Sequence, residues 1–519
     1  MEPIHAKEIE LNDQFKRALD LMENSSGNLF ITGKAGTGKS TLLDYFRKTT
    51  KKKVAVVAPT GVAALNVQGQ TIHSFFRFRP DVTISSVEKA DWPGAELYKA
   101  IDTIIIDEVS MVRADLLDCI DRFLRINGKR KDEPFGGVQM IFIGDLYQLP
   151  PVVTGKEKEI FMSFYKSQYF FDSPAFGCNV EFVELEKIYR QKDKKFIDLL
   201  NSIRNNSVEE KGIAEMNKRL EPFFQPKDGE FYISLTSTNN QAAEINNLEL
   251  VKLKGKLFSF HGKLTGEFDS GHLPTDLELR IKPGSQIMMV NNDPAGRWVN
   301  GSVGKITGIE KGKDKKDVIM VKFPGGEAEV GKFTWKMNRL NYDKATRSLF
   351  SESMGSFTQY PLRLAWAVTI HKSQGKTFDK VIIDIGKGTF AHGQMYVALS
   401  RCTNFDGLVL RRPMEKKHIW MDWKIVKFLT QFQYNKADKS CSFDKKMEII
   451  QNAIKNRSKL QIVYLKSNDV KSKRVILPKS VGEMEYMGKK YTGLDAYCFS
   501  RKDDRIFRVD RILEIRESG

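Results

Sequence analysis

The residues from Gly33 to Ser40, GKAGTGKS, have the types and the spacing of a phosphate-binding loop, G-x-x-x-x-G-K-[ST]. An apolar run over 29–32 precedes them as a buried strand would, and Leu42, Leu43 and Phe46 follow at helical spacing. Glycines let the backbone turn tightly and aim its N–H groups at an anion, which also faces the positive end of the helix. The pattern predicts a nucleotide-phosphate site, the alternative being a glycine-rich turn that matches by chance.

The side chains of this loop have separate expected roles. The Lys39 ammonium would neutralise the β and γ phosphates of ATP, and the Ser40 hydroxyl would hold Mg²⁺. Gln14 would reach the adenine edge, unless it is a surface residue on the turn that Asn12 caps. The nucleotide contacts expected from this part of the chain are Gln14, Gly33, Ala35, Gly36, Thr37, Gly38, Lys39, Ser40 and Thr41.

Two carboxylates end another apolar segment, since Thr103 to Ile106 runs directly into Asp107 and Glu108. In a phosphate-loop ATPase this is the Walker B arrangement, in which Asp107 holds the Mg²⁺ shell and Glu108 polarises the attacking water. Gln148 follows the apolar run over 138–143, where its amide would sense the γ phosphate. We therefore expect hydrolysis to depend on Lys39, Asp107, Glu108 and Gln148, with Ser40 and Asp107 on the metal.

A second ligand is expected beside the nucleotide. The apolar strand from Val54 to Ala58, a polar loop and a helix of small residues repeat the rhythm of a parallel α/β sheet, whose ligands gather at the carboxyl ends of its strands. Hydroxyl, imidazole and aromatic groups here suit a nucleic-acid single strand, whose phosphates accept hydrogen bonds and whose bases stack. The expected contacts are Thr60, Gly61, His73, Ser74 and Phe75; the alternative is a buried helix packed through Ala63, Ala64 and Phe75.

Composition limits what such a site is attached to. The 519-residue chain has room for three or more domains, and its net charge of +18 is typical of proteins that meet polyanions, although an inert basic surface is the alternative. Its five cysteines are scattered and form no C-x-x-C pair, which predicts neither disulfides nor a zinc site. The polar N-terminus and the lack of any apolar run of about 18 residues predict a soluble, unprocessed protein, which we expect in a prokaryotic cytoplasm.

In this order, GKAGTGKS, APTGVAALNVQGQTIHSFF, IIIDEVSM and IFIGDLYQLPPV resemble the first lobe of the petite-integration-frequency (PIF) helicases of superfamily 1B, which also contains the RecD-like helicases. The resemblance implies a second RecA-like lobe. Residues 185–204 resemble motif IV, with Arg190 as an arginine finger. Residues 362–384 resemble motif V, with His371 and Lys372 on the DNA strand and Gly375 near the nucleotide. Residues 395–410 resemble motif VI, with Arg401 as a second catalytic arginine.

The implied fold class is α/β, with two RecA-like lobes built on parallel sheets. We expect lobe 1 over 1–171 with an accessory insertion at about 77–100, and lobe 2 over 172–435 with an inserted SH3-like β-barrel at about 297–358. The polar stretch 436–444 has the composition of a linker. Residues 445–519 end in AYCFSRKDDRIFRVDRILEI, which resembles a small β domain of the WYL family, although Thr492 and Gly493 replace the Trp and Tyr of its name.

In this C-terminal segment, Tyr497, Arg501, Arg505 and Arg508 give a basic and aromatic surface of the kind that binds single strands, a solvated basic face being the alternative. The resemblance implies an ATP- and Mg²⁺-dependent helicase that moves 5′ to 3′ on single-stranded DNA and opens duplexes, forks or G-quadruplexes. It also implies a monomer that serves DNA repair or telomere maintenance. The contrasting hypothesis is a DNA-stimulated ATPase switch or loader that the C-terminal domain regulates.

Overall fold

The computed structural model describes residues 11–90, 95–153, 155–177, 180–191, 193–227, 229–268, 273–311, 317–386, 388 and 391–518. Two compact units are present, one of Met1–Ile203 with Val208–Trp420 and another of Arg204–Ser207 with Met421–Gly519. Trp92 and Pro93 of the expected accessory insertion, Cys178, and the charged turn over 312–316 lie outside the described residues. No helix in the described part of the chain is long and apolar enough to span a membrane.

The strands of the first unit are β1 Asn28–Gly33, β2 Val54–Ala58, β3 Gln70–Thr71, β4 Thr103–Ile106, β5 Gln139–Gly144, β6 Val180–Leu185, β7 Ile233–Thr236, β8 Phe258–His261, β9 Lys263–Gly266, β10 Glu278–Ile281, β11 Gln286–Met289, β12 Val303–Lys311, β13 Asp317–Phe323, β14 Gly326–Val330, β15 Phe333–Asp343, β16 Ser348–Gln359, β17 Leu362–Leu364, β18 Ala367–Thr369, β19 Val381–Asp384 and β20 Leu408–Leu410. Its helices are α1 Asp13–Asn24, α2 Lys39–Thr49, α3 Gly61–Asn66, α4 Ile72–Phe76, α5 Leu97–Ala100, α6 Ala114–Asn127, α7 Gly155–Phe164, α8 Lys194–Arg204, α9 Glu210–Asn217, α10 Asn239–Lys252 and α11 Gln394–Leu399.

The first lobe is built on a parallel sheet in the order β3-β2-β4-β5-β1-β6. Strands β4 and β5 are buried along their whole length because helices cover both faces, which explains their unbroken apolar runs. Helix α1 packs Phe15, Ala18 and Met22 into the core of this sheet. The predicted cap is confirmed, because the Asn12 side chain accepts a hydrogen bond from the Phe15 N–H.

The second lobe has its own parallel sheet, in the order β18-β7-β19-β20. Two parallel sheets confirm the predicted α/β class with two lobes. Because β1, β4 and β5 run parallel, their carboxyl ends lie at one edge of the first sheet, where such folds bind their ligands. The predicted division of the lobes between residues 171 and 172 is wrong, because β6, Val180–Leu185, pairs with β1 in the sheet of the first lobe.

The predicted β insertion is confirmed as an antiparallel unit, although it is larger than expected and begins at β8 rather than near residue 297. One sheet has the order β14-β13-β12-β11-β17, and β15 and β16 form a long hairpin that pairs with β9. Ile306, Val321 and Trp298 lie in its core. No pairing closes β14 onto β17 among the described strands, so the barrel that the sequence predicted is not shown.

The second unit contains α12 Trp423–Ser440, α13 Phe443–Asn456 and the antiparallel sheet β24-β23-β22-β21-β25. Its strands are β21 Leu460–Leu465, β22 Lys471–Tyr486, β23 Lys489–Cys498, β24 Asp503–Arg508 and β25 Ile512–Glu517. Met447, Ile450, Ala453 and Ile454 recur at helical spacing, and α13 buries Ile450 and Ala453 against Leu460 and Leu494.

The linker predicted over 436–444 is wrong. Helix α12 continues to Ser440 and α13 starts at Phe443, so Cys441 and Ser442 separate two helices that lie in the same compact unit. The polar composition of this stretch hides one buried face, on which Ala437 packs against Leu465 and Leu513. Lys446 is only 1% exposed, and its ammonium lies 3.0 Å from the Asp438 carboxylate.

This ion pair yields a stability prediction. Asp438→Ala leaves the buried Lys446 ammonium without its carboxylate, so α13 should lose about 1–3 kcal/mol of local stability. Amide hydrogen exchange over 443–456 in the full chain measures that loss. Glu448→Ala, which removes an exposed carboxylate from the same helix, is the matched control. Equal exchange rates in the two variants would show that the pair does not support the helix.

Candidate nucleotide and nucleic-acid site

The phosphate loop connects β1 to α2 in the conformation that its glycines allow. Gly36 and Gly38 have φ angles of +80° and +88°, in the left-handed region that favours glycine. The Lys39 ammonium donates to the carbonyl oxygens of Gly33, at 2.7 Å, and Lys34, at 3.0 Å. The Thr37 hydroxyl donates to the Lys34 carbonyl as well. The loop is therefore preformed, with Ser40 and Thr41 exposed at the start of α2.

The predicted pair of carboxylates follows β4. Asp107 is buried, and Glu108 adopts a φ of +51°, an uncommon angle for a residue with a side chain. Burial and then the Glu108 carboxylate raise the pKa of Asp107 to about 7. Burial also raises the pKa of Glu108, against the opposing effects of Lys39 and Arg401. A divalent cation at this position would lower both pKa values, as opposite charges do.

A hydrogen bond joins the second lobe to this carboxylate pair. The Gln374 side-chain amide donates to Glu108 Oε2 at 3.0 Å. Gln374 lies in the turn that follows β18, next to His371 and Lys372. The residue expected to polarise water is thus held by the segment expected to grip the DNA strand.

Arg190 and Tyr396 cover the phosphate loop from the other side. A Cβ atom on Gly36 would lie 2.5 Å from Cβ of Arg190, so only glycine fits under this arginine. The Arg190 guanidinium donates to the Ser400 carbonyl at 3.3 Å. The Tyr396 hydroxyl accepts a hydrogen bond from the Ala35 N–H at 2.9 Å. Sequence analysis missed Tyr396, for which the signal is a tyrosine five residues before Arg401 on the same motif.

Arg401 is 1% exposed, and its guanidinium is held by its own lobe. It donates to the carbonyls of Val397, at 2.9 Å, and Lys376, at 3.2 Å, and to the Ser400 hydroxyl, at 2.8 Å. Burial and the Arg190 charge lower its pKa, whereas Glu108 raises it. Arg401 therefore contributes a buried positive charge beside the carboxylates, and Arg190 is the arginine that lies over the loop.

Gln148 lies where lobe 1 meets lobe 2, as the sequence predicted for a residue that signals between them. It is buried, and its side-chain amide donates to Asp145 at 3.2 Å. The backbone carbonyl of Gln148 would clash with any Cβ on Gly393, and the His392 ring contacts the Leu146 carbonyl at 3.0 Å. Its action on the γ phosphate stays a prediction.

The residues expected to contact the DNA strand differ in how far they are buried and in their hydrogen bonds. The Thr60 hydroxyl caps α3 by accepting from the Ala63 N–H, and Gly61 is the first residue of that helix. His73 and Ser74 are half-buried on α4, and burial lowers the pKa of His73. Phe75 is only 4% exposed and packs edge-on against Phe76 and Tyr98. The ring thus packs in an aromatic cluster, as the alternative proposed, while it also lines a cavity of about 510 Å³, and contact of Phe75 with the strand stays a prediction.

Two cavities collect most of the other predicted residues. A cavity of about 350 Å³ is lined by Ser40, Thr60, Asp107, Glu108, His371, Lys372, Gln374, Gly375 and Lys376. It therefore runs from the expected metal ligands to the expected strand contacts. A second cavity, of about 510 Å³, also contains Lys372 and Lys376 in its wall. The structure thus brings nucleotide-side and strand-side residues within one region.

Gln14 differs from its predicted role. Its side-chain amide donates to Glu186 Oε2 at 3.1 Å and accepts from the Glu186 N–H at 2.8 Å. Both ends of the amide are therefore engaged, which ties α1 to the segment before Arg190. Contact with adenine stays a prediction that requires these bonds to open.

The basic residues of the second unit do not form one surface. Arg501 and Arg505 line a cavity of about 340 Å³ together with Lys466 and Arg474. Arg508 instead donates to both carboxylate oxygens of Asp510, at 3.1 and 2.7 Å. Tyr497 pairs with Asp504 across the sheet, one residue from Arg505, so its side chain lies on the opposite face. Arg501 and Arg505 therefore share one cavity, and strand contact by the four predicted residues stays a prediction.

Comparison with known proteins agrees with this geometry. Residues 10–213 match the family model of the PIF1-like helicases, and residues 445–517 match that of the WYL domain. An ATP-dependent DNA helicase Pif1 of Bdellovibrio bacteriovorus is 31% identical over 445 residues, which cover 83% of this chain and 94% of that protein. The vertebrate relatives are longer, and the chain spans 58% of human ATP-dependent DNA helicase PIF1.

Solved structures show the same likeness. Bacteroides sp Pif1 in complex with ADP-AlF4 is 35% identical, has a TM-score of 0.74, and is matched over 82% of this chain and 97% of its own. Bacteroides Pif1 bound to ssDNA is 36% identical, with a TM-score of 0.59 over 80% of this chain and 96% of its own. The two-lobed fold, the phosphate loop and these matches define the class of the chain as a P-loop protein with two parallel-sheet lobes. The chain belongs to the PIF1-like helicase family.

Proposed function

We propose that this protein is an ATP-dependent DNA helicase that moves 5′ to 3′ along a single strand and separates duplex, forked or G-quadruplex DNA ahead of it. The observation that carries the proposal is the hydrogen bond from Gln374 to Glu108. It couples the hydrolytic carboxylate to the loop expected to hold the strand, which is what a motor requires of its two sites. The polarity and the G-quadruplex substrate rest on the family resemblance.

Hydrolysis would divide between the two lobes. Lys39 would move from the loop carbonyls to the β and γ phosphates, and Glu108 would polarise the attacking water. The Ser40 hydroxyl and the Asp107 carboxylate are hard oxygen donors that line one cavity, and they suit Mg²⁺, which would supply charge stabilisation at the phosphates. Arg190 would stabilise the charge that develops on the γ phosphate.

Strand binding would use the residues on the other side of that cavity. Thr60, His371 and Lys372 line it, with Gly61, His73 and Ser74 on the adjoining helices. A relative in this family has been solved bound to ssDNA. Another solved relative is described in terms of DNA unwinding at forked dsDNA by two coordinating Pif1 helicases, which supports forks as a substrate. We further propose a monomer in a prokaryotic cytoplasm, which the described free thiols and the bacterial relative support.

The alternative is a DNA-stimulated ATPase switch or loader without processive unwinding. In this hypothesis the C-terminal domain acts as a sensor that regulates the ATPase. The match of residues 445–517 to a WYL domain is the observation that favours it. The two hypotheses share the nucleotide site, so only strand displacement separates them.

An unwinding assay on paired substrates tests the proposal. Wild-type protein with ATP and Mg²⁺ should displace a duplex that carries a 5′ overhang and leave the matched 3′-overhang substrate intact. Lys39→Ala should abolish displacement because the phosphates lose their cation. Glu108→Gln should keep nucleotide binding and lose hydrolysis. Strand-stimulated hydrolysis without displacement of either substrate would favour the switch, and displacement of the 3′-overhang substrate alone would reverse the polarity.

We also propose that the second unit contacts single-stranded DNA through the cavity of Arg501 and Arg505. Lys466 and Arg474 add positive charge there, and Tyr464 adds an aromatic side chain. Phosphates and bases are the groups that such a wall recognises. Arg508 is left out of this contact because Asp510 already accepts two of its hydrogen bonds.

The salt dependence of strand binding checks this contact. Replacing Arg501 and Arg505 together by alanine should weaken binding and flatten the plot of log affinity against log salt by about 1.4, at about 0.7 for each lost phosphate contact. Arg508→Ala is the matched control and should keep the wild-type slope. An unchanged slope in the double variant, or an equal change in the control, would exclude the cavity as the DNA contact.

A further inference from the structure

The cavity of about 510 Å³ in the first unit has an unusual charge balance. Its wall comes from the first lobe, the β insertion and the turn after β18. Among the described residues that line it, the wall contains no carboxylate, and the other polar groups are neutral amides and hydroxyls. Its cations are Arg47, Lys336, Arg363, Lys372 and Lys376. Asp276, outside this wall, lies 3.9 Å from the Arg363 guanidinium, so the cavity keeps a surplus of positive charge that attracts an anion.

Lys376 differs from the other cations in its burial. It is 8% exposed, and the polar contact that the structure gives its ammonium is with the Met288 sulfur, at 3.8 Å. A Cβ on Gly301 would pack against its aliphatic stem, so the side chain is enclosed along its length. No carboxylate forms an ion pair with Lys376 in the described part of the chain. A thioether is a weak acceptor, which leaves most of the hydrogen-bonding capacity of an ammonium group unused.

A buried lysine without an anion is costly, because water no longer stabilises its charge. Burial, and then the Arg363 charge, lower the pKa of Lys376 to about 7. The side chain therefore gives up its proton readily in the free protein. An anion entering the cavity would favour the charged form and restore the proton.

We propose that Lys376 binds a phosphodiester group of the DNA strand, at a subsite formed with the β insertion. The inference rests on the proposed function, because it takes the ligand of the neighbouring Lys372 to be a DNA strand. Lys376 shares both cavities with Lys372, so a strand that contacts one passes within reach of the other. A phosphodiester carries a negative charge throughout the range near neutral pH, and an ammonium donates charge-assisted hydrogen bonds to it.

Binding at this subsite takes up a proton. The bound state carries more protons than the free state above the free pKa of about 7, so affinity for the strand is constant at lower pH and falls as the pH rises beyond it. Burial lowers the pKa of His371, which lies in the same turn. The other charged groups that face Lys376 across the two cavities are Arg47, Lys336, Arg363, Lys372, Asp107 and Glu108.

The experiment measures the affinity of the full chain for a fluorescent oligo-dT by anisotropy, without nucleotide or Mg²⁺, from pH 6.5 to 9 at constant ionic strength. Wild-type affinity should fall about tenfold or more over this range. Lys376→Met keeps the buried volume and should bind about tenfold more weakly at pH 6.5, with the two curves converging by pH 9. Asp107 also ionises near pH 7, but it does so equally in both proteins.

Two further variants complete the test. Lys376→Arg keeps a charge that does not titrate, so its affinity should stay near the wild-type pH 6.5 value up to pH 9. Lys218→Met removes an exposed lysine and should follow the wild-type curve. Equal affinity and equal pH dependence in wild type and Lys376→Met would overturn the inference. If Lys376→Met fails to fold by circular dichroism, a wild-type pH dependence in Lys376→Arg would overturn it. Failure of the wild-type protein to bind the strand at any pH would instead overturn the proposed function, and this inference with it.

Discussion

The hydrogen bond between the Gln374 amide and the Glu108 carboxylate is the contact on which the functional account depends. Glu108 follows a strand of the first sheet, and Gln374 follows a strand of the second. Both ends of the bond are held by parallel sheets, so a shift of one lobe against the other must break it or form it. We propose that this one short connection, rather than a long pathway, couples hydrolysis to strand binding.

Two other contacts connect the phosphate loop to residues from later in the chain. Arg190 lies over Gly36, and the Tyr396 hydroxyl accepts from the Ala35 N–H, so the phosphate loop is covered from the second lobe. The loop alone is a preformed cradle for phosphate. With these contacts it becomes one half of a divided site, in which the second lobe supplies the cation expected at the γ phosphate.

Much of the fold could be predicted from the sequence because its patterns are local. The phosphate loop, the Asp107–Glu108 pair and the buried strands before them depend on short-range spacing, and the strand from Val54 to Ala58 was predicted with the bounds that the structure has. The order of four motifs was enough to predict the family. By contrast, the stretch over 436–444 was taken for a linker, because its polar residues conceal the single face that Ala437 and Lys446 bury.

Side-chain partners were harder to predict, because they come from distant parts of the chain. The sequence predicts Arg508 and Phe75 as strand contacts. In the structure, Arg508 donates a hydrogen bond to the Asp510 carboxylate, and the Phe75 ring packs against Tyr98. Tyr396 and Lys376 were missed since neither residue type is unusual in its motif. Their importance comes from what the fold places around them, which one-dimensional spacing does not record.

Single-turnover hydrolysis by Gln374→Met tests the central claim most directly. The account predicts that ATP affinity stays within about twofold of wild type, while strand-stimulated hydrolysis falls about 10- to 100-fold, as it does when a residue that orients a catalytic group is removed. Gln431→Met, which changes an exposed glutamine of the second unit, should behave as wild type. Full stimulation by single-stranded DNA in Gln374→Met would contradict the account, because the two sites would then be coupled without this bond.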